Sequence, residues 1–290
     1  MDINDTFIVC ADKWAKDGVD DRINFALDNF DEWISNYDKE EKELLVKLLQ
    51  NFDYYSYSHV VAIMEQLNLK IMKEYGISSE DSVISVVRKD DGKLNSSYEY
   101  WLLHRMISGF GKDMYYDTVN DIAEKYWQNI QKIVYVDDCC GTGEQFTKFI
   151  KRQKKSFDNK QIILVVIEAV EDAKLYIKSE LAKQGLNVEI VVYNTKEKAL
   201  KNMVEQEKRL FYKMSQEQEI FKECVLGFEK AEALMAFFNN TPNDTLGLFW
   251  FISKKNKPIF PREIDRKSGW KLSNAEKRKR SREQYESKRQ

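Results

Sequence analysis

The sequence predicts an α/β fold in which a parallel-sheet domain follows a small all-helical domain. Before Gly76, apolar side chains recur at spacings of three and four, as at Ile23, Ala26 and Phe30, which is the period of an amphipathic helix. Beyond Gly76, short apolar runs alternate with amphipathic stretches, which is typical of parallel strands joined by helices. We therefore predict three regions: an acidic helical domain or cap over 1–76, an α/β domain over 77–265 and a basic tail over 266–290.

Each region takes its elements from the local apolar pattern. The helical domain has three apolar stripes at helical spacing, over 23–34, 44–49 and 60–71. In the α/β domain, short apolar runs predict strands over 82–87, 132–138, 161–169, 187–193 and 233–238. Amphipathic stretches predict helices over 98–107, 119–130, 143–153, 170–185 and 196–224.

Composition excludes several classes of protein. Of the 290 residues 43% are hydrophobic and 13% aromatic, so the chain can bury a sizeable core. No stretch approaches the run of apolar residues that spans a membrane, the N-terminus lacks a signal-peptide pattern, and four cysteines make no disulfide framework. We expect a cytoplasmic protein without a membrane partner. The chain has only two histidines, so we expect no metal held by protein side chains.

The segment 134–149, with the sequence VYVDDCCGTGEQFTKF, is the one that carries chemistry. Its apolar strand brings Asp137 and Asp138 to the carboxyl end of the sheet, where open parallel sheets bind ligands. A small-residue turn then leads into a helix, and such a turn offers backbone N–H groups to a phosphate. Gly141 and Gly143 permit the tight turn and leave room for the anion. We predict that the acids accept hydrogen bonds from ribose hydroxyls, and that the phosphate is bound by Cys139, Cys140, Gly141, Thr142, Gly143, Glu144 and Gln145.

This segment resembles the phosphoribosyltransferase fold family. The family signature is an apolar strand, two acids, three mostly small or apolar residues and then Thr-Gly, and Asp137, Asp138, Thr142 and Gly143 match it in register. Gln145 departs from the pattern, since the family usually has Thr or Ser there. The resemblance implies a phosphoribosyltransferase-like domain whose two acids are catalytic and whose ligand is a nucleotide or phosphoribosyl diphosphate. Because a diphosphate carries more charge than one loop neutralises, we expect Mg²⁺ to be bound through ligand oxygens and water.

A narrower resemblance extends over roughly 20–265. The block LGFEKAEALMAFFNNTPNDTLGLFW, over 226–250, and the later PIFPR look like the C-terminal signature of phosphoribosyltransferase-like effectors of bacterial conflict and anti-phage systems, including retron-associated ones. This resemblance implies a toxic defence component that acts on a nucleotide. It also implies a reverse transcriptase with its RNA–DNA product as a partner.

Four more residues are candidates for ligand contacts. Arg88 and Lys89 follow the first strand of the sheet, where the phosphoribosyltransferase arrangement holds the pyrophosphate, although loop cations are more often only solvated. Asn243 lies in the turn Thr-Pro-Asn-Asp, which could cover the sheet edge as a hood. Trp250 could stack on a base or simply belong to a core strand.

Two alternatives stay open from the sequence. The run YVDDCCGTG also resembles the glycine-rich first motif of S-adenosylmethionine-dependent methyltransferases, with Glu168 as the ribose-binding acid. Against it, Cys139 replaces the first glycine of that motif and Asp138 stands where an apolar residue is expected. The second alternative is a catalytically inactive nucleotide-sensing module that keeps the phosphoribosyltransferase-like fold.

Charge is divided between the two ends of the chain. Residues 1–81 hold 18 acids and 8 bases, a net of −10, whereas 254–290 hold 14 bases and 5 acids, a net of +9. The tail could bind the acidic helices of its own or another copy, giving self-association, or it could contact nucleic acid. A solvated basic helix is the remaining interpretation.

Overall fold

The computed structural model describes residues 2–88 and 96–262. The helices in these ranges are α1 (Ile3–Ala15), α2 (Asp21–Ser35), α3 (Lys39–Gln50), α4 (Tyr57–Tyr75), α5 (Ser96–Ile107), α6 (Glu124–Trp127), α7 (Glu144–Lys151), α8 (Glu171–Ala182) and α9 (Glu205–Glu217). The strands are β1 (Asp53–Tyr55), β2 (Ser82–Val86), β3 (Tyr115–Tyr116), β4 (Lys132–Val136), β5 (Cys139–Cys140), β6 (Gln161–Val170), β7 (Val188–Lys196) and β8 (Met235–Phe237).

Side-chain caps fix where the N-terminal helices begin. The Asp20 carboxylate accepts hydrogen bonds from the first backbone N–H groups of α2, and Asp38 forms a capping box with Glu41 at the start of α3. Helix α4 begins at the cap Ser56 and ends at Gly76, which has a φ of 59°. Such a left-handed residue stops a helix at little cost only when it is glycine.

The main sheet is parallel throughout, which confirms the predicted α/β fold. Its strands lie in the order β3, β2, β4 and β6, and β7 pairs with the other edge of β6. Beyond β4 the chain stays against β6, because Asp137 N donates to Val165 O, Ile167 N donates to Asp138 O, and β5 then pairs with the end of β6. The carboxyl ends of β2, β4 and β6 therefore share one edge.

The described residues form two hydrophobic cores, and these do not follow the order of the chain. One core surrounds the main sheet and includes α4. The other joins α1, α2 and α3 to the region 200–260, where Phe52 stacks on Phe260 with ring centroids 5.2 Å apart. Strand β1 also pairs in parallel with β8. The boundary at residue 76 stays a prediction about independent folding, and the tail 266–290 lies outside the described residues.

Two predicted helices and one missed helix need correction. The segment 119–130 was predicted as one helix, but Ala123 is extended and separates a short 3₁₀ turn from α6. The helix predicted over 196–224 begins only at Glu205, because β7 continues through Lys196 and Ala199 N then donates to Glu232 O. Helix α1 was not predicted; its core-facing side chains include Phe7 and Trp14.

No helix among the described residues combines the length and the apolar character that crossing a bilayer would require.

Candidate functional site

The two predicted acids lie side by side at the carboxyl end of β4, and both are buried. Their exposed fractions are 7% for Asp137 and 8% for Asp138. The Ser97 hydroxyl, on α5, donates to Asp137 Oδ1 at 2.5 Å, and Asp138 N donates to the same oxygen at 2.9 Å. Cys139 N donates to Asp138 Oδ1 at 2.9 Å. Backbone and serine donors thus fix both carboxyl groups at the ligand edge of the sheet.

The surroundings of Asp137 favour its neutral form. Burial raises the pKa of Asp137 well above its ordinary value, and the charge of Asp138 raises it further, whereas the hydrogen bond from Ser97 opposes both effects. The neutral form of Asp137 that this environment favours can act as a hydrogen-bond donor.

The predicted phosphate loop follows the acids, but its cysteines are not part of the turn. Cys139 and Cys140 form β5, where Cys139 is opposite Glu168. The turn consists of Gly141 to Gly143, and Gly143 is the N-terminal cap of α7. The side chain of Gln145 is exposed. The N-terminus of α7 thus follows the acid pair after β5 and the glycine turn, and the helix begins near Gly143, as predicted.

The two glycines of the turn serve contacts that the sequence did not show. Gly143 has a φ of 78°, and a Cβ there would lie 2.7 Å from Ile177 Cγ1 and 2.8 Å from Ala173 O, both on α8. The missing side chain of Gly143 therefore leaves room for α8, and contact of Gly143 with an anion stays a prediction. A Cβ on Gly141 would instead lie 2.5 Å from Asp244 Cγ.

The C-terminal segment 226–262, which we call the hood, brings in two residues that sequence reasoning did not assign to the site. Asp244 reaches Gly141 from the turn that contains Asn243, whose carbonyl accepts from Phe228 N at 2.7 Å. Arg262 is half-buried, and burial lowers its pKa, while the nearby carboxylates of Asp244 and Asp138 oppose that effect. Both residues lie in the C-terminal sequence blocks that resemble the family signature. From the sequence, Asp244 is predicted only as a residue that stabilises a turn.

Trp250 lies beside Arg262 at the base of the hood. Its indole N–H donates to Thr245 O at 2.6 Å, and its ring centroid is 5.8 Å from the guanidinium carbon of Arg262. The ring is buried, with an exposed fraction of 6%. These contacts account for the tryptophan as a packed residue, and its stacking on a base stays a prediction.

A sequence model of the PRTase-CE family, a phosphoribosyltransferase-like family associated with conflict systems, matches residues 30–262, which is more than half of the chain. The chain belongs to this family. None of the curated proteins compared with it matches. The match confirms the resemblance to phosphoribosyltransferase-like proteins of conflict systems, and with it a phosphoribosyltransferase-like domain.

Of the two candidate pyrophosphate ligands in this PRTase-CE protein, only Arg88 lies among the described residues. Arg88 follows β2 at the same sheet edge as the acids, but its Nη2 donates to Asp117 Oδ2 at 2.5 Å. Asp117 follows β3, on the opposite side of β2 from β4. The guanidinium is thus engaged away from the acid pair, and binding of pyrophosphate by Arg88 stays a prediction. Lys89 lies outside the described residues.

A second buried polar network lies behind the loop, and sequence reasoning missed it. Glu168 Oε2 accepts from Tyr55 OH at 2.6 Å and from Asn194 Nδ2 at 3.3 Å. The same amide donates to Asp53 Oδ2 at 2.9 Å, and Lys196 forms an ion pair with Asp53. Glu168 therefore binds β1 and β7, which argues against the ribose-binding role that the methyltransferase alternative gave it.

Glu168 makes the stability of this PRTase-CE protein depend on pH. Burial raises the pKa of Glu168 to about 7, with Asp53 adding to the rise and Lys196 opposing it. An acid whose pKa is raised on folding stabilises the fold fully below its unfolded value, and this contribution is lost as pH rises through 7. The loss is on the order of 3 kcal/mol.

We expect Glu168→Gln to remove most of this dependence. The amide oxygen still accepts from Tyr55, so the contact survives without the titration. The measurement is the difference in the free energy of unfolding between the wild type and the variant at pH 5.5 and at pH 8. The wild type should lose stability relative to the variant as pH rises, and parallel pH profiles would contradict the assignment.

Proposed function

We propose that this protein binds a phosphorylated ribose, as a nucleotide or as phosphoribosyl diphosphate, at the carboxyl edge of the main sheet. The observation that supports this proposal best is the buried pair Asp137 and Asp138, which backbone donors orient beside a glycine turn and the N-terminus of α7. Carboxyl groups suit ribose hydroxyls, and the turn with the helix N-terminus suits a phosphate. The two sites together match the two ends of a ribose 5-phosphate.

In the proposal, reaction takes place at the glycosidic carbon of the bound sugar. Asp137 has a raised pKa and so can donate a hydrogen bond to one hydroxyl while Asp138 accepts from another. The loop 139–145 holds the phosphate. Holding the sugar at both ends fixes the orientation of the glycosidic carbon, and such positioning supplies a large part of the barrier reduction in transfers of this kind.

Mg²⁺ is part of the proposal as an ion bound through ligand oxygens and water. Asp137 and Asp138 offer the hard oxygen donors that Mg²⁺ takes, so they fit a water-mediated contact with it. When bound, the ion would neutralise a diphosphate leaving group. That charge matters here because Asp244 adds a further carboxyl group beside the loop.

The biological role we propose is that of an effector in anti-phage defence, in the manner of a toxic component of a retron-like system. The membership of the chain in a family associated with conflict systems supports this role. A reverse transcriptase with its RNA–DNA product is the proposed partner, with the basic tail as a candidate contact. Self-association of the tail with the acidic helices is the alternative use of that charge.

The test of ligand binding is the substitution Asp138→Asn. It removes a charge while keeping the shape of the side chain, so we expect the fold to survive and affinity for ribose 5-phosphate, nucleotides or phosphoribosyl diphosphate to fall by about 1.5 kcal/mol or more. Isothermal titration calorimetry gives the affinities. Asp158→Asn is the matched control, because Asp158 is exposed and precedes β6 at the opposite edge of the sheet. Equal affinities of wild type and Asp138→Asn for every such compound would refute the proposal.

A second candidate is a nucleotide-sensing module without turnover. The departure at Gln145, where the phosphoribosyltransferase pattern has Thr or Ser, favours it. Release of pyrophosphate or of a free base would show an enzyme, whereas binding without release would show a sensor. Metabolite profiles of cells that express the wild type or an Asp137→Asn, Asp138→Asn variant make the same distinction in vivo.

A further inference from the structure

The side chain of Asp244 packs directly against Gly141, in the turn to which the proposed function assigns a phosphate. A Cβ built on Gly141 would lie 2.5 Å from Cγ, 2.6 Å from Oδ2 and 2.8 Å from Cβ of Asp244. Real Cβ atoms do not approach other atoms so closely, so the contact exists only because residue 141 is glycine. A carboxyl group of this chain is therefore held against the turn, next to the position proposed for the ligand anion.

The position of Asp244 is built into the hood and is not the result of a loose loop. Its carbonyl accepts from Ala233 N at 3.0 Å, and a residue larger than glycine at Gly227 would collide with its backbone. Beside it, the Thr245 hydroxyl donates to Met235 O of β8 at 2.6 Å. Glycines thus allow close approach on both sides of Asp244, one facing its side chain and one facing its main chain.

Arg262 supplies the positive charge of this arrangement. Its guanidinium stacks against Trp250, while its backbone N–H donates to Trp250 O at 3.3 Å. The charges of both Asp244 and Asp138 act on it. A guanidinium binds carboxylate and phosphate in the same planar, bidentate manner, so Arg262, anchored beside Trp250, is a suitable counter-ion for a phosphoryl group.

We propose that Asp244 is an internal competitor of the ligand: a phosphoryl group displaces its carboxylate from above Gly141 and takes Arg262 as its counter-ion. The inference rests on the proposed phosphate site at 139–145 and adds its regulation. The hood then inhibits anion binding as long as the Asp244 carboxylate stays above Gly141. Neutralising Asp244 should strengthen anion binding, and neutralising Arg262 should weaken it. The opposite signs of these two effects distinguish displacement from simple damage to the hood.

The experiment measures binding of inorganic pyrophosphate, without Mg²⁺, by calorimetry to the wild type, Asp244→Asn and Arg262→Gln. We expect an affinity at least about fivefold higher for Asp244→Asn, because a like charge next to the anion is removed, and at least about fivefold lower for Arg262→Gln. Asp158→Asn is the control for loss of one negative charge far from the loop. Asp244→Ser is a second neutral variant in case the asparagine keeps the hood closed, and thermal unfolding shows that each variant is folded.

Each result decides the inference. Equal or weaker binding of pyrophosphate by both Asp244 variants would overturn it, and so would the absence of binding to the wild type and both variants. Hydrogen exchange gives a reading without any ligand: amides of 139–145 should exchange faster in Asp244→Asn than in the wild type, and unchanged exchange would also contradict the proposal.

Pyrophosphate contains no ribose, which separates this inference from the proposed function. Asp138→Asn tests the ribose contacts with sugar-containing ligands, and the Asp244 variants test the anion position alone. If Asp138→Asn leaves nucleotide affinity unchanged while Asp244→Asn strengthens pyrophosphate binding, the proposed function fails and the internal competitor stands. The reverse pattern would remove the competitor and keep the ribose site.

Discussion

Gly143→Val is expected to destabilise the fold by about 2–5 kcal/mol, as the sum of a left-handed backbone conformation and overpacking. The φ of 78° disfavours any side chain, and the new Cβ would lie 2.7 Å from Ile177 Cγ1 and 2.8 Å from the carbonyl oxygen of Ala173. Helix α8 must then shift away from the start of α7, or α7 must unwind. Urea unfolding followed by circular dichroism gives the change in the free energy of unfolding.

The matched control is Gly185→Val. Gly185 has a φ of 73°, close to that of Gly143, but a Cβ there meets nothing within 4 Å. The control should therefore show only the backbone cost, about 1–2 kcal/mol. The excess loss at Gly143 measures the contact between the turn and α8. Equal losses at the two positions would mean that α8 does not need the glycine.

Phe249→Ala should cost about 3–5 kcal/mol, because it opens a cavity in the core that joins the two ends of the chain. Phe249 is fully buried, with its ring centroid 4.8 Å from that of Phe52 and 5.7 Å from that of Trp33. Its loss loosens the C-terminal region that carries the hood as well as the N-terminal helices. We expect lower stability in urea together with faster hydrogen exchange in α2 and in 139–145.

Phe228→Ala serves as the control for this substitution. Phe228 has the same side chain and also belongs to the hood, but 43% of it is exposed, so its removal should cost about 1 kcal/mol or less. If Phe249→Ala were no more destabilising than Phe228→Ala, the second core would not hold the hood in place. Faster exchange confined to 245–253 would likewise argue against coupling between the core and the loop.

The net negative charge at the site affects which form of a phosphorylated ligand can bind. Asp137, Asp138 and Asp244 face the loop region, and Arg262 offsets part of their charge. Such an acidic site binds a bare diphosphate more weakly than a Mg²⁺-bound diphosphate. The raised pKa of Asp137 lowers the same repulsion from within the protein. This balance gives the proposed Mg²⁺ and the proposed displacement of Asp244 a common electrostatic reason.

Local patterns of the sequence determined most of the main sheet and the acid pair. A strand shows itself by its own apolar run, as β4 and β6 do, and Asp137 and Asp138 follow β4 without interruption in the chain. The N-terminus of α7 follows from the same few residues. Such features depend on neighbours along the chain, so the sequence alone places them, including the order of strand, acids, turn and helix on which the family resemblance rested.

Tertiary structure decided the remainder, because the contacts involved join residues far apart in the chain. The helix expected over 196–224 lacks its first turns because Ala199 N donates a hydrogen bond to Glu232 O. No local sequence pattern predicts that distant partner. The sequence predicts that Gly143 is a turn glycine, and the structure agrees. Only the position of α8 shows which atoms a side chain at residue 143 would contact. From the sequence, Asp244 is only a turn residue. In the structure its carboxylate packs against Gly141, and the position of a residue in the sequence does not predict which distant backbone its side chain contacts.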